Sequence, residues 1–259
     1  MTPQKTTPPM PAAPFPAFAD LQGRRALVTG ASSGIGQAIA AEFARQGMAV
    51  AGQFHRQRTG LPAGVQPLRA DLRQAGAGTA LARAAARLLG GLDLVVHSAG
   101  MWNDGRIDNL TPETLHELYA LNTFAAYEMI GAAAAALRRR RGGIILIGST
   151  AGQRGEPGHS HYAGSKAALK GLMDSLAQEL APRIRVNMIS PGWVLTPMAA
   201  EFLTPKKLRA LSARIPLARV AAPADCVAAA LFLASNQMAR HLTGQEICVS
   251  GGALLPVPR

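Results

Sequence analysis

With 48% apolar residues among 259, the chain can bury the core of one large α/β domain or two small ones, which excludes a disordered chain. A net charge of +12 raises nucleic acid as a partner. The arginines are spread along the chain, however, and no helix-turn-helix, zinc-finger or RNP-type signature accompanies them, so no nucleic acid is expected. No apolar run approaches the roughly 20 residues that span a bilayer, so no membrane is expected either.

Residues 1 to 19 carry prolines at 3, 8, 9, 11, 14 and 16 and no apolar h-region. They read as a disordered, proline-rich tail. From there the segments "RALVTG", "MAVAGQF", "VQPLRADL", "LDLVVHSAG", "GGIILIGS", "IRVNMIS" and "EICVS" read as strands. Between most of them lie helical stretches such as "IGQAIAAEFARQG", closed by Gly47, and "TALARAAARLLG", closed by Gly90. Near-continuous apolar strands separated by helices imply a parallel sheet covered on both faces. No boundary or repeat divides residues 20 to 259, which are expected to form a single domain.

The stretch from Thr111 to Arg140 opens as a helix should, with Thr111 as N-cap, Pro112 at the first position and Glu113 in the first turn. "ALNTF" interrupts it at Asn122, a poor mid-helix residue that marks a kink or local opening. Arg138 to Arg141 suit a solvated helix C-terminus. Cys226 and Cys248 sit in apolar runs without metal-ligand spacing, so two buried, reduced thiols are expected, with no metal, in keeping with a cytoplasmic setting.

Two constellations carry chemistry. "TGASSGIG" runs from a strand directly into a helix, and glycines there let backbone N–H groups approach a pyrophosphate at the helix N-terminus. In "HYAGSKAALKG", Tyr162 and Lys166 stand four apart on one helical face. Alone, such a pair is two amphipathic residues on a half-wet face. Next to a phenol, though, an ammonium stabilises the phenolate and lowers a pKa that is otherwise near 10.

Read together, these motifs resemble the short-chain dehydrogenases/reductases over about residues 22 to 252. Gly30, Gly34 and Gly36 follow the family's Gly-x-x-x-Gly-x-Gly, and Asp71 in "ADL" matches the aspartate that meets the adenine ring. Asn122, Ser149, Tyr162 and Lys166 match its catalytic set, with Ser149 thirteen residues before Tyr162. "SPGWVLTPM" and "LTGQEICVSGG" match later segments. Two features depart: "HSAG" stands where the family usually has Asn-Asn-Ala-Gly, so support for the central strand must be made differently, and Ser250 replaces an aspartate.

The resemblance implies a three-layer, doubly wound Rossmann fold with a central seven-stranded parallel sheet. It implies Tyr162 as proton donor, Ser149 on the substrate oxygen, Lys166 on the nicotinamide ribose and Asn122 anchoring a relay water. At the end of the second strand Phe54 is followed by His55 and Arg56 where an acid would select NAD. Arg56 either pairs with the 2′-phosphate of NADPH through its planar fork or is a solvent-facing loop residue. Ser32 and Ser33 could donate to the same phosphate.

The expected NADP(H) contacts are thus Thr29, Gly30, Ser32, Ser33, Gly34, Ile35 and Gly36; His55 and Arg56; Asp71 and Leu72; Ser98, Ala99 and Gly100; Tyr162 and Lys166; and Pro191, Gly192, Val194 and Thr196. Trp102 and Trp193 either line the substrate pocket, beside Ser149, or pack in the core. A substrate lid is implied at about 196 to 215, with Lys206, Lys207, Arg209 and Arg214 on it. The expected activity is NADPH-dependent reduction of a ketone or other carbonyl compound, including 3-oxoacyl thioesters on an acidic carrier protein, by a homotetramer or homodimer. The other class left open is a dinucleotide sensor or nucleic-acid binder that kept the fold and lost the chemistry.

Overall fold

The computed structural model describes residues 15 to 255. Its strands are β1 (Arg25–Val28), β2 (Ala49–Phe54), β3 (Val65–Arg69), β4 (Leu94–His97), β5 (Gly143–Ile147), β6 (Arg185–Pro191) and β7 (Glu246–Val249). They form one sheet in the order β3-β2-β1-β4-β5-β6-β7, every pair parallel. The chain winds outward from β1 to β3, then returns to β4 on the other side of β1. The order therefore reverses between β1 and β4, where doubly wound sheets open a crevice at their carboxyl ends.

The helices are α1 (Gly34–Arg45), α2 (Ala77–Leu89), α3 (Pro112–Tyr119), α4 (Ala125–Arg140), α5 (Thr150–Arg154), α6 (Ser160–Glu179), α7 (Pro197–Ala200), α8 (Pro205–Arg214) and α9 (Pro223–Ala234). One face of the sheet is covered by α2, α4 and α6 through Leu81, Met129 and Leu172, and the other by α1 and α9 through Ile39, Phe43, Val227 and Leu231. The packing of α2 on α4 depends on Gly78 of α2. A Cβ there would lie 2.6 Å from the Ala125 carbonyl oxygen of α4, so any larger residue would push the helices apart.

The seven expected strands all form, with β3 ending at Arg69 rather than Leu72. The stretch expected to open at Asn122 does so as a π turn, Ala120–Phe124, between α3 and α4. Pro112–Arg140 is 29 residues long and apolar enough to cross a membrane by length and composition, contrary to the expectation from apolar runs. Half of its most apolar window is buried within the protein, so that apolarity is a core face.

Residues 1 to 14 of the expected tail lie outside the described residues. Its last part does not trail: Phe15 and Phe18 pack against the core beside Leu21, and the Phe18 N–H donates to Gln46 Oε1 at 2.8 Å. Cys226 is buried as expected, while Cys248 is exposed because it lies on the edge strand β7, which has a neighbour on one side only.

Candidate active site

The turn after β1 delivers the chain to the N-terminus of α1. A Cβ on Gly36 would run into the Gly30 carbonyl, so only glycine lets the first turn of α1 close against the loop. Ser33 is the N-cap and its hydroxyl makes no cap bond. The first N–H groups of α1 are thereby left for a ligand, and the helix dipole favours an anion there. The turn thus fits the pyrophosphate of a dinucleotide.

Gly30, Ser33, Gly34, Ile35 and Gly36 line one cleft with Ser98, Ala99, Gly100, Tyr162, Lys166, Pro191, Gly192, Val194 and Thr196. Thr29 is fully buried, and Ser32, His55, Arg56, Asp71 and Leu72 lie outside that cleft. At the end of β2, Phe54 is buried, His55 half-buried and Arg56 exposed. The carboxylate of Asp71 lies 3.5 Å from His55 Nε2 and accepts two bonds from Arg73, each 2.8 Å. Arg73 in turn reaches Glu117 at 2.6 Å. Arg73's hydrogen bonds, reinforced by its charge, hold the Asp71 carboxyl well below the usual carboxylate range. This grip on the expected adenine-side aspartate was missed from the sequence, although Arg73 stands two residues away.

The four expected catalytic residues come from three places around the carboxyl end of the sheet: the β5–α5 junction, α6 and the π turn. Ser149 follows β5 and caps α5, its Oγ accepting from Ala151 N at 3.1 Å. Tyr162 and Lys166 lie one turn apart in α6, with Lys166 Nζ 5.9 Å from the Tyr162 ring centroid and donating to the Ile147 carbonyl at 2.9 Å. Asn122, in the π turn, clasps Met101 at both N–H (2.8 Å) and carbonyl (3.0 Å) and donates to Ser165 Oγ at 3.0 Å.

The expected electrostatics of the pair need correction. Burial raises the Tyr162 phenol, the Ser149 hydroxyl lowers it in part, and the Glu156 carboxylate raises it further. Burial also pushes Lys166 down to about 8. The ammonium donates to the Ile147 carbonyl, and the phenol is raised by burial rather than lowered by lysine as expected.

Both tryptophans line the cleft. Trp102 stacks on His159 at 4.3 Å and meets Phe202 edge-on at 4.4 Å and Trp193 at 6.0 Å. Its indole N–H points to Glu156 Oε2 at 3.4 Å. His159, Phe202, Glu156 and Arg154 were not expected at the site from the sequence. Thr196 and Thr204 cap α7 and α8, each followed by proline, so the implied lid is two short helices with Lys206, Lys207, Arg209 and Arg214 exposed. Among the described residues, no group of three or more His, Cys, Asp or Glu side chains could hold a metal ion.

The family model described as enoyl-(acyl carrier protein) reductase matches residues 30–253. The chain belongs to the short-chain dehydrogenase/reductase family. A 3-oxoacyl-[acyl-carrier-protein] reductase of Thermotoga maritima is 32% identical over 248 residues, which is 91% of this chain and 99% of the relative. The aldohexose dehydrogenase of Thermoplasma acidophilum, in ligand-free form, superposes with a TM-score of 0.88 at 28% identity, covering 94% of this chain and 98% of its own. A 3-oxoacyl (acyl-carrier-protein) reductase from Agrobacterium tumefaciens with NADP bound gives 0.83 at 31% identity, covering 89% and 94%.

Within this short-chain dehydrogenase/reductase, the two departures have visible consequences. His97 is fully buried and bridges Thr29 Oγ1 (3.3 Å) to the Asn122 carbonyl (3.2 Å), tying β4 to both neighbouring segments. Ser250, nearly buried, packs under Gly192, where a Cβ would lie 3.3 Å from it.

Proposed function

We propose that this protein is an NADPH-dependent carbonyl reductase. The observation that carries the reading is the convergence of Ser149, Tyr162 and Lys166 on one cleft with the glycine-rich turn. Bound NADPH supplies the hydride. The chain's part is to receive a ketone oxygen at the Ser149 hydroxyl and the Tyr162 phenol, to pass the phenolic proton to that oxygen, and to hold the resulting phenolate beside the Lys166 ammonium. Asn122 braces the wall behind Lys166 through Met101 and Ser165.

Preference for NADPH over NADH rests on Arg56, which follows β2 where no acid stands to repel a 2′-phosphate. The NADP-bound relative supports it. A 3-oxoacyl thioester on an acidic carrier is the second substrate reading, favoured by the exposed Lys206, Lys207 and Arg209 on α8, the helix that follows the cleft-lining α7, and by the relatives' names. The assembly belonging to this reading is a homotetramer or homodimer, supported by exposed Leu115, Phe124 and Tyr127 on α3, the π turn and α4. A cytoplasmic setting fits the two free thiols.

The test is NADPH oxidation, followed optically, against ketones, quinones, pterins and 3-oxoacyl thioesters. Turnover of none of them with NADPH binding intact would favour a dinucleotide sensor instead.

A further inference from the structure

His97 ends β4 with its side chain 0% exposed. Its ring is used at both nitrogens, Nδ1 toward Thr29 Oγ1 at 3.3 Å and Nε2 toward the Asn122 main-chain oxygen at 3.2 Å. A carbonyl can only accept, so Nε2 carries the proton. The Thr29 hydroxyl already accepts from the Ser98 and Ala99 N–H groups, each at 2.9 Å, which leaves its own proton for Nδ1. Every donor and acceptor is satisfied by one arrangement, a neutral ring protonated at Nε2. An imidazolium would set a second proton against Thr29 and a cation in the same buried space as Lys166, the charged side chain that bears on it.

The two groups it joins belong to different parts of the site. Thr29 opens the glycine-rich turn and, through its hydroxyl, orients the backbone of Ser98 and Ala99. Asn122 lies in the π turn, a widened geometry whose backbone groups need partners from outside the regular ladder. The Asn122 side chain then clasps Met101 and Ser165, the latter next to Lys166.

We propose that His97 is a positioning residue that clamps the Asn122 turn to Thr29, and so holds the Ser98 to Met101 wall of the cleft in register with the Lys166 side. The clamp is read independently of turnover in its first test. In 15N-labelled wild-type protein at pH 7, the His97 ring should show a protonated Nε2 and a bare Nδ1, and an Nδ1-protonated ring or an imidazolium overturns the proposal. If no carbonyl compound is turned over, the reductase reading fails while this spectrum still judges the clamp.

The second test compares His97→Leu with His97→Gln, whose amide offers one donor and one acceptor. Partners that orient metal-ligating side chains cost about tenfold to a hundredfold when removed, and a clamp on a catalytic turn is expected to act on the same scale. The leucine variant should lose that much in kcat per folded molecule, with NADPH Kd rising less, and glutamine should recover most of it. Equal losses in both variants, or a loss that only follows the folded fraction, would show a purely structural residue. Should the leucine variant fail to fold, the tautomer and the glutamine variant's kcat decide.

Discussion

Replacing Lys166 by methionine should remove activity and stabilise the fold, by an amount that depends on pH. Burial lowers the ammonium from 10.5 to about 8. At about 1.4 kcal/mol per pKa unit, keeping it charged in the folded protein at pH 7 costs about 3 kcal/mol. A lysine whose folded value lies below its unfolded one binds fewer protons when folded. Its cost is therefore full below about 8 and is relieved as pH climbs toward 10.5; at pH 10 less than about 1 kcal/mol remains. Methionine keeps the length and apolar stem but leaves the Ile147 carbonyl without its donor, a loss of about 1 to 3 kcal/mol that does not vary with pH.

The decisive quantity is thus the difference between variant and wild type at two pH values. Urea unfolding should show the variant's relative stability falling by about 2 kcal/mol between pH 7 and pH 10. A difference that stays constant over that range would refute the penalty, and with it the picture of an ammonium held in a dry site without a carboxylate.

Tyr162→Phe should abolish turnover while NADPH titration shows little change in affinity, because the ring still packs and only the transferable proton is lost. Arg56→Ala should weaken NADPH about tenfold to a hundredfold, the worth of a charge-assisted pair, and leave NADH nearly untouched, as read by fluorescence titration. Trp102→Ala or Trp193→Ala should lower kcat/KM for a bulky apolar ketone more than for a small one, and an unchanged ratio would mean that the rings only pack. The reductive rate should fall as pH rises through about 8, where Lys166 loses its charge, and a flat profile from pH 7 to 9 would count against that role.

The sheet was legible because most of its strands are largely apolar runs, and five of them, β1, β2, β4, β5 and β6, are buried along nearly their whole length, as a sheet covered on both faces demands. Where the reading overshot, pairing explains it. β3 was expected to reach Leu72 but stops at Arg69, opposite Phe54, because β2 ends there and an edge strand has no other partner. Asn122 was readable as a break since an asparagine inside a helix needs a reason, and the π turn supplies one. The aromatic mouth was only half legible. Trp102 could be placed by its neighbours in "SAGMW", whereas His159 and Phe202 reach it from segments 57 and 100 residues away, and no local pattern encodes that meeting.

Burial is also what spacing could not convey, and it bears on the direction of the proposed reaction. Four residues along a helix guarantee that Tyr162 and Lys166 share a face, but the sign of their pKa shifts depends on how much water the fold removes. Here desolvation moves both groups toward their neutral forms, the phenol upward and the ammonium down to about 8. A raised phenol is protonated throughout the physiological range, the state needed to donate to a carbonyl oxygen, whereas alcohol oxidation would need the phenolate at the outset. Glu156 adds to the bias, since its carboxylate opposes a second negative charge at Tyr162. Lys166 is still mostly charged at pH 7, so the phenolate formed by proton donation meets a cation when it appears. The same desolvation that makes the site expensive for the fold therefore keeps the proton donor loaded and its counter-cation charged at neutral pH, the two states that reduction of a carbonyl draws on.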